Sequence, residues 1–147
     1  LDKNFGKSVL HSVFNITNYH KEALAMGQSY TVLVVDDSPF VFKAVKKALE
    51  PEGFQFMDQA FNGQECLERI AQQIPDLIIL DITMPVMDGL QTAEHLFKKN
   101  TAAKILMISA MGDEELVKKA RRIGVNSFLN KPFKPEELLS TVRGLLG

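Results

Sequence analysis

Leu77-Ile78-Ile79-Leu80 runs without interruption into Asp81, and turn-forming residues follow at Pro85 and Gly89. An unbroken apolar run closed by turn residues is the pattern of a strand buried on both faces. Such a strand needs layers packed on both sides of its sheet, and in a parallel sheet those layers are helices. A carboxylate at the C-terminal end of the strand stands where open α/β sheets bind ligands. Asp81 is therefore the candidate reactive group, and the rest of the chain is read for what it brings to it.

From Thr31 the chain alternates between strand and helix patterns. Thr31 to Val35 is a strand of mostly β-branched residues that ends in Asp36-Asp37. Ser38-Pro39 then supplies an N-cap and a proline for a first helical turn. That helix is expected to reach about Glu50, with Phe40, Val41, Ala44, Val45, Ala48 and Leu49 on one face, before Pro51 and Gly53 stop it. Phe54 to Gln59 is expected as a short second strand. Asn62-Gly63 opens a second helix with Cys66, Leu67 and Ile70 inward. After the third strand, Asp88-Gly89 starts a third helix through Leu90, Ala93, Leu96 and Phe97. Lys104 to Ser109 is the fourth strand. Asp113 caps a fourth helix, with Leu116, Val117, Ala120 and Ile123 inward and Gly124 as its stop. Val125 to Asn130 is the fifth strand, ending at Lys131-Pro132, and Leu138, Leu139, Val142, Leu145 and Leu146 mark the last helix.

Strict alternation predicts a parallel sheet with helices on both faces and right-handed crossovers. The expected fold class is α/β, a flavodoxin-like (βα)5 doubly wound sandwich with strand order 2-1-3-4-5. In that order strands one, three, four and five are neighbours, so Asp36, Asp37, Asp81, Ser109 and Lys131 converge on one pocket. Clustered carboxylates raise each other's pKa values, and a divalent cation removes that penalty. All-oxygen donors favour a hard ion such as Mg²⁺. With Asp81 as nucleophile and Lys131 and the Ser109 hydroxyl to hold oxygens, the pocket has the parts for phosphoryl transfer to give an aspartyl phosphate.

Composition closes off other classes. The formal net charge is -1, which argues against nucleic-acid binding by bulk electrostatics. Cys66 is the single cysteine, so no intrachain disulfide forms, which fits a reducing compartment, and it is expected as a small inward hydrophobe. His11, His20 and His95 lack zinc-site spacing. No apolar run approaches a membrane span, and no Gly-x-Gly dinucleotide fingerprint occurs. Gly6-Lys7-Ser8 resembles the end of a phosphate-binding loop, but no glycine stands five residues earlier and no strand precedes it. Residues 1–30 are expected as an N-terminal extension, a short helix around Val9, Leu10, Val13 and Phe14 followed by a linker, with 31–147 as the functional domain.

The pieces Val34-Val35-Asp36-Asp37-Ser38, Leu80-Asp81-Ile82-Thr83-Met84-Pro85-Val86-Met87-Asp88-Gly89, Ile108-Ser109-Ala110 and Phe128-Leu129-Asn130-Lys131-Pro132-Phe133 come in a familiar order and spacing. Over residues 31–147 the chain closely resembles the CheY-like receiver domain of two-component response regulators. The resemblance implies that Asp81 is the phosphoacceptor. Asp36, Asp37, Asp81 and the backbone carbonyl of Thr83 would hold Mg²⁺. Ser109 would be the switch hydroxyl and Lys131 the phosphoryl-binding lysine, with its bond to Pro132 usually cis. Phe128 would be the aromatic switch, lacking the hydroxyl many members carry. Thr83 and Met111 fall at variable positions that tune phosphoryl lifetime.

It further implies that a histidine kinase or phosphotransfer protein donates the phosphoryl group. The receiver would catalyse only its own phosphorylation and hydrolysis, so it is not an enzyme toward external substrates. Its output would pass to a protein target through the helix four–strand five–helix five face, with dimerisation there left open and no direct contact with nucleic acid or membrane. A cytoplasmic location is expected. Stand-alone action and membership of a longer protein both fit.

Two other functions compete. An aspartate-nucleophile phosphohydrolase needs a second carboxylate two residues after the nucleophile, and Asp81-Ile82-Thr83 and Asp36-Asp37-Ser38 both lack it. A flavin mononucleotide module needs a Ser/Thr/Gly-rich phosphate loop after strand one, where this chain has two acids. Lys118, Lys119, Arg121 and Arg122 on the fourth helix read more readily as a solvated face than as a partner patch.

Overall fold

The computed structural model describes residues 29–147; the helix expected in the N-terminal extension lies outside them. The elements are β1 (Thr31–Val35), α1 (Pro39–Leu49), β2 (Gln55–Phe56), α2 (Gly63–Gln72), β3 (Leu77–Asp81), α3 (Gly89–Lys98), β4 (Lys104–Ser109), α4 (Glu114–Ile123), β5 (Phe128–Asn130) and α5 (Pro135–Leu146). One five-stranded sheet runs in the order β2-β1-β3-β4-β5, and every pairing is parallel. The expected order and alternation are therefore present.

Period-two alternation along the strands divides the core between the faces. Leu33, Val35, Ile78, Leu80 and Met107 pack with Cys66, Ile70, Ala93, Leu96 and Ala120 of α2, α3 and α4. Val32, Val34, Leu77, Ile79, Leu106 and Ile108 pack with Val45, Leu49, Leu138 and Val142 of α1 and α5. Every residue of β3 is buried, because strands flank it on both edges and helices cover both faces. Each such Leu or Ile taken from water contributes about 1.5–3 kcal/mol. The stretch that defines the fold thus also fixes where Asp81 ends up.

Local chemistry sets the helix starts. The Ser38 side chain accepts from the Val41 amide at α1, and Asn62 Oδ1 accepts from the Glu65 amide at α2. Asp88 and Gln91 form a reciprocal capping box at α3, which satisfies two otherwise orphaned amides.

The structure departs from the sequence expectations in four places. Phe40 and Ala44 do not join the buried face of α1: Phe40 is 78% exposed and Ala44 is exposed, while Val45 and Leu49 are fully buried. Phe40 sits in the first helical turn, beyond the end of the core, and Ala44 one turn further along the same outer side. β2 is an edge strand of only two residues, and the chain rejoins β1 at a single Val35–Ala60 bridge. β5 starts at Phe128 rather than Val125. Asp113 stands at the start of α4 and its carbonyl accepts from the Val117 amide, but its side chain makes no cap bond; its Oδ2 instead accepts from the Ala110 amide at 2.8 Å.

Candidate phosphoacceptor site

β1 delivers Asp36 into a buried position, 1% exposed. The Asp36 amide donates to Ala60 O, so the bridge that closes β2 also anchors this residue. Its Oδ1 accepts from the Ser38 amide at 2.8 Å. The buried Gln59 side chain donates to the Asp36 carbonyl at 2.7 Å and to the Ser38 carbonyl at 3.1 Å. The turn carrying the two acids is therefore held from both sides. Asp37 lies at the exposed mouth of the pocket.

β3 delivers Asp81, also buried. The loop after it is tied down at several points. Ile82 donates to Ile108 O, and the Gly89 amide returns to Ile82 O. A Cβ on Gly89 would meet the Asp81 carbonyl oxygen and lie 2.7 Å from Ile82 Cα. A Cβ on Gly63 would meet Thr92 Oγ1 and lie 2.8 Å from Met87 Cγ. The starts of α2 and α3 thus approach the loop so closely that only glycine fits. At the tip, Met87 N donates to Pro85 O at 2.8 Å across Val86, whose φ of 68° is a genuine outlier for a β-branched residue. The Thr83 amide lies 3.5 Å from Asp81 Oδ1.

Asp36, Asp37 and Asp81 each offer a carboxylate oxygen, and these oxygens lie within 4.8 Å of one another. Lys131 reaches the same cluster from β5, with Nζ 3.1 Å from Asp36 Oδ2 and 3.3 Å from Asp81 Oδ2. The Lys131–Pro132 peptide is cis. Three close carboxylates with oxygen donors alone suit a hard divalent cation of the Mg²⁺ type.

The electrostatics follow from this crowding. Burial, then the charge of Asp36, pushes the Asp81 carboxyl up to about 6, against the opposing pull of Lys131. Burial disfavours the Lys131 ammonium, but the hydrogen bond to Asp36 and the fields of Asp81 and Asp36 outweigh it and hold its pKa above the ordinary value. Cys66 lies away from this chemistry: it is fully buried, and burial pushes its thiol up to about 12.

The four charged residues expected at the site are brought together; Ser109 and Phe128 stand beside them in other engagements. The Ser109 hydroxyl donates to Asn130 Oδ1 at 3.0 Å. The half-buried Phe128 ring lies under the Arg121 guanidinium, 4.6 Å from ring centroid to Cζ, a cation–π geometry. A groove of about 640 Å³ between α4 and β5 has Ser109, Met111, Val117, Arg121, Phe128 and Lys131 in its wall, so it runs from the Arg121–Phe128 stack to the charged pocket. Sequence reasoning gave no role to Gln59 or Asn130, and it read Arg121 only as part of the charged face of the fourth helix, not as a partner of Phe128. Asn130 was within reach of it, since aligning the ends of β4 and β5 sets it opposite Ser109.

A family model described as the response regulator receiver domain matches residues 32–143. The chain is 40% identical over 122 residues to the chemotaxis protein CheY of Treponema pallidum (strain Nichols), covering 82% of this chain and 85% of that one. Among solved structures, it is similar to the CheX–CheY–BeF3–Mg²⁺ complex of Borrelia burgdorferi, with a TM-score of 0.74 and 34% identity over 80% of this chain and 90% of that chain. It is similar also to the chemotaxis response regulator CheY4 of Vibrio cholerae, with a TM-score of 0.73 and 30% identity over 80% and 98% of the two chains. These relatives are regulatory receivers, and the phosphohydrolase alternative is not favoured. The acidic pocket, the strand order and the sequence match agree: the chain belongs to the response regulator receiver domain family, as a CheY-like member.

Proposed function

We propose that Asp81 is the residue of this receiver that accepts the phosphoryl group. The observation that carries the reading is the placement of the Lys131 ammonium between Asp36 and Asp81, 3.1 and 3.3 Å from their carboxylates, with Asp37 completing the acidic cluster. A nucleophilic carboxylate, a fixed cation and a metal-type donor set in one pocket suit in-line phosphoryl transfer.

An ionised Asp81 oxygen attacks the donor phosphorus. An O–P bond forms as the P–N bond of a phosphohistidine breaks, and the bonding pair leaves with the imidazole, which takes up a proton. Asp36, Asp37, Asp81 and the Thr83 carbonyl would hold Mg²⁺, which when bound neutralises charge between the donor and acceptor oxygens. Lys131 holds an oxygen of the transferred group. The Ser109 hydroxyl turns toward another, and Phe128 moves in the groove behind it, which biases the α4–β5–α5 face between two states.

In this reading the domain catalyses its own phosphorylation and hydrolysis and acts on no external substrate. The donor is a histidine kinase or phosphotransfer protein, and the output is a protein contact through α4, β5 and α5. A cytoplasmic location goes with that partner class; no helix among the described residues is long and apolar enough to cross a membrane. Residues 31–147 form the receiver and 1–30 an extension to it.

The test uses a small-molecule phosphodonor with Mg²⁺. The protein should gain a label that hydroxylamine removes, and chelation or Asp81→Asn should prevent it. Turnover of an external phosphomonoester, or labelling that ignores Mg²⁺, would contradict the reading.

A further inference from the structure

Ser109 is 2% exposed, and its hydroxyl is committed: it donates to Asn130 Oδ1 at 3.0 Å. Backbone geometry enforces the contact. Ser109 and Asn130 are register partners at the ends of β4 and β5, and the next amide, Lys131 N, donates to Ser109 O at 2.7 Å. Asn130 and Lys131 therefore divide the site between them. The lysine holds Asp36 and Asp81, and the asparagine holds the hydroxyl.

A hydroxyl has one proton to donate. It can go to Asn130 or to a phosphoryl oxygen on Asp81, and a buried hydroxyl left with neither is penalised. The two engagements are mutually exclusive states of one side chain.

We propose that Asn130 is a positioning residue that acts through Ser109: it retains the hydroxyl in the unphosphorylated state, and so opposes phosphoryl binding and sets the threshold of the switch. This rests on the phosphoacceptor reading of Asp81. Removing the acceptor frees Ser109 for the phosphoryl group, so the site binds a phosphoryl mimic more tightly. The gain exists only while Ser109 has its hydroxyl.

The experiment is calorimetric titration of the whole chain with beryllium fluoride, the phosphoryl mimic, in saturating Mg²⁺. Wild type, Asn130→Ala, Ser109→Ala and the double variant form a cycle. Asn130→Ala should bind about three- to tenfold tighter than wild type, the range of one hydrogen bond, and the gain should vanish in the Ser109→Ala background. Equal or weaker binding by Asn130→Ala, or a gain that survives without the Ser109 hydroxyl, would overturn the proposal. Asn130→Val, which also removes the acceptor and suits a strand, gives the same readout should the alanine variant fold poorly. Failure of wild type itself to bind the mimic would overturn the phosphoacceptor reading and this inference with it. Binding by wild type without the gain overturns only the role of Asn130.

Discussion

Lys131 Nζ lies 3.3 Å from Asp81 Oδ2, although β5, which Lys131 follows, and β3, which carries Asp81, are separated in the sheet by β4. The lysine does two opposing things there. It offsets the repulsion between Asp36 and Asp81, and it competes for the oxygens that a metal would use. Lys131→Met should therefore separate the two roles. Mg²⁺ should bind several-fold tighter, because a competing cation is gone, while phosphoryl labelling falls by roughly a hundredfold, the scale of losing one preorganised charge contact. Metal titration and labelling rate on the same preparation check this; a parallel loss of both would mean the lysine only maintains the fold.

The raised Asp81 carboxyl makes the metal-free protein pH-sensitive. Asp81 titrates at about 6 when folded, against an ordinary value of 3.8. The folded state holds this proton more tightly, so folding is favoured by it at low pH. That contribution is fully present below about 3.8, falls as pH rises through 6 and is absent at neutral pH, where the buried charge must be carried. In a chelating buffer at pH 7, Asp81→Asn should melt a few degrees above wild type, with the gap closing as pH drops below 6. Added Mg²⁺ should raise the wild-type midpoint at pH 7 and lose that effect in acid, as protons displace the ion.

Val86 is held at φ 68° with its side chain 82% exposed. The strain is therefore not offset by packing. Val86→Asn, which tolerates the left-handed region and loses no buried contact, should stabilise the fold by about 1 kcal/mol. Urea unfolding should show a higher midpoint at unchanged slope.

Gly89 and Gly144 give opposite outcomes for one substitution. A Cβ at Gly89 meets the backbone at Asp81 and Ile82, whereas one at Gly144 meets nothing within 4 Å. Gly89→Ala should cost about 1–3 kcal/mol and weaken Mg²⁺ binding by displacing the end of β3. Gly144→Ala, within the exposed side of α5, should add up to about 1 kcal/mol of stability and leave Mg²⁺ binding alone.

The alternation of β1 through α5 was legible because β1, β3 and β4 read as apolar runs and most helix starts carry a cap residue or a proline. Asp36, Asp37, Asp81 and Lys131 were legible for a related reason: each sits just at or beyond the end of an expected strand, and strand ends converge in a parallel sheet. The strand order itself came from the fold class and not from any residue. What the sequence hides is rotation and register. Phe40 shares the apolar period of α1 yet lies a turn above the core, and nothing local says so. Asp113 has the chemistry of a cap, but the Ala110 amide is nearer to hand. The Ser109–Asn130 bond depends on how β4 and β5 align, and the Arg121–Phe128 stack on how α4 lies across β5.

The most direct measurement is the site of the covalent modification. The protein is treated with a small phosphodonor and Mg²⁺, the acyl phosphate is trapped by borohydride reduction, and the reduced residue is located by peptide mass spectrometry. One modification at Asp81, absent from Asp81→Asn, is the predicted result. A modification at Asp36, Asp37 or any other residue in wild type, with Asp81 unmodified, would contradict the account.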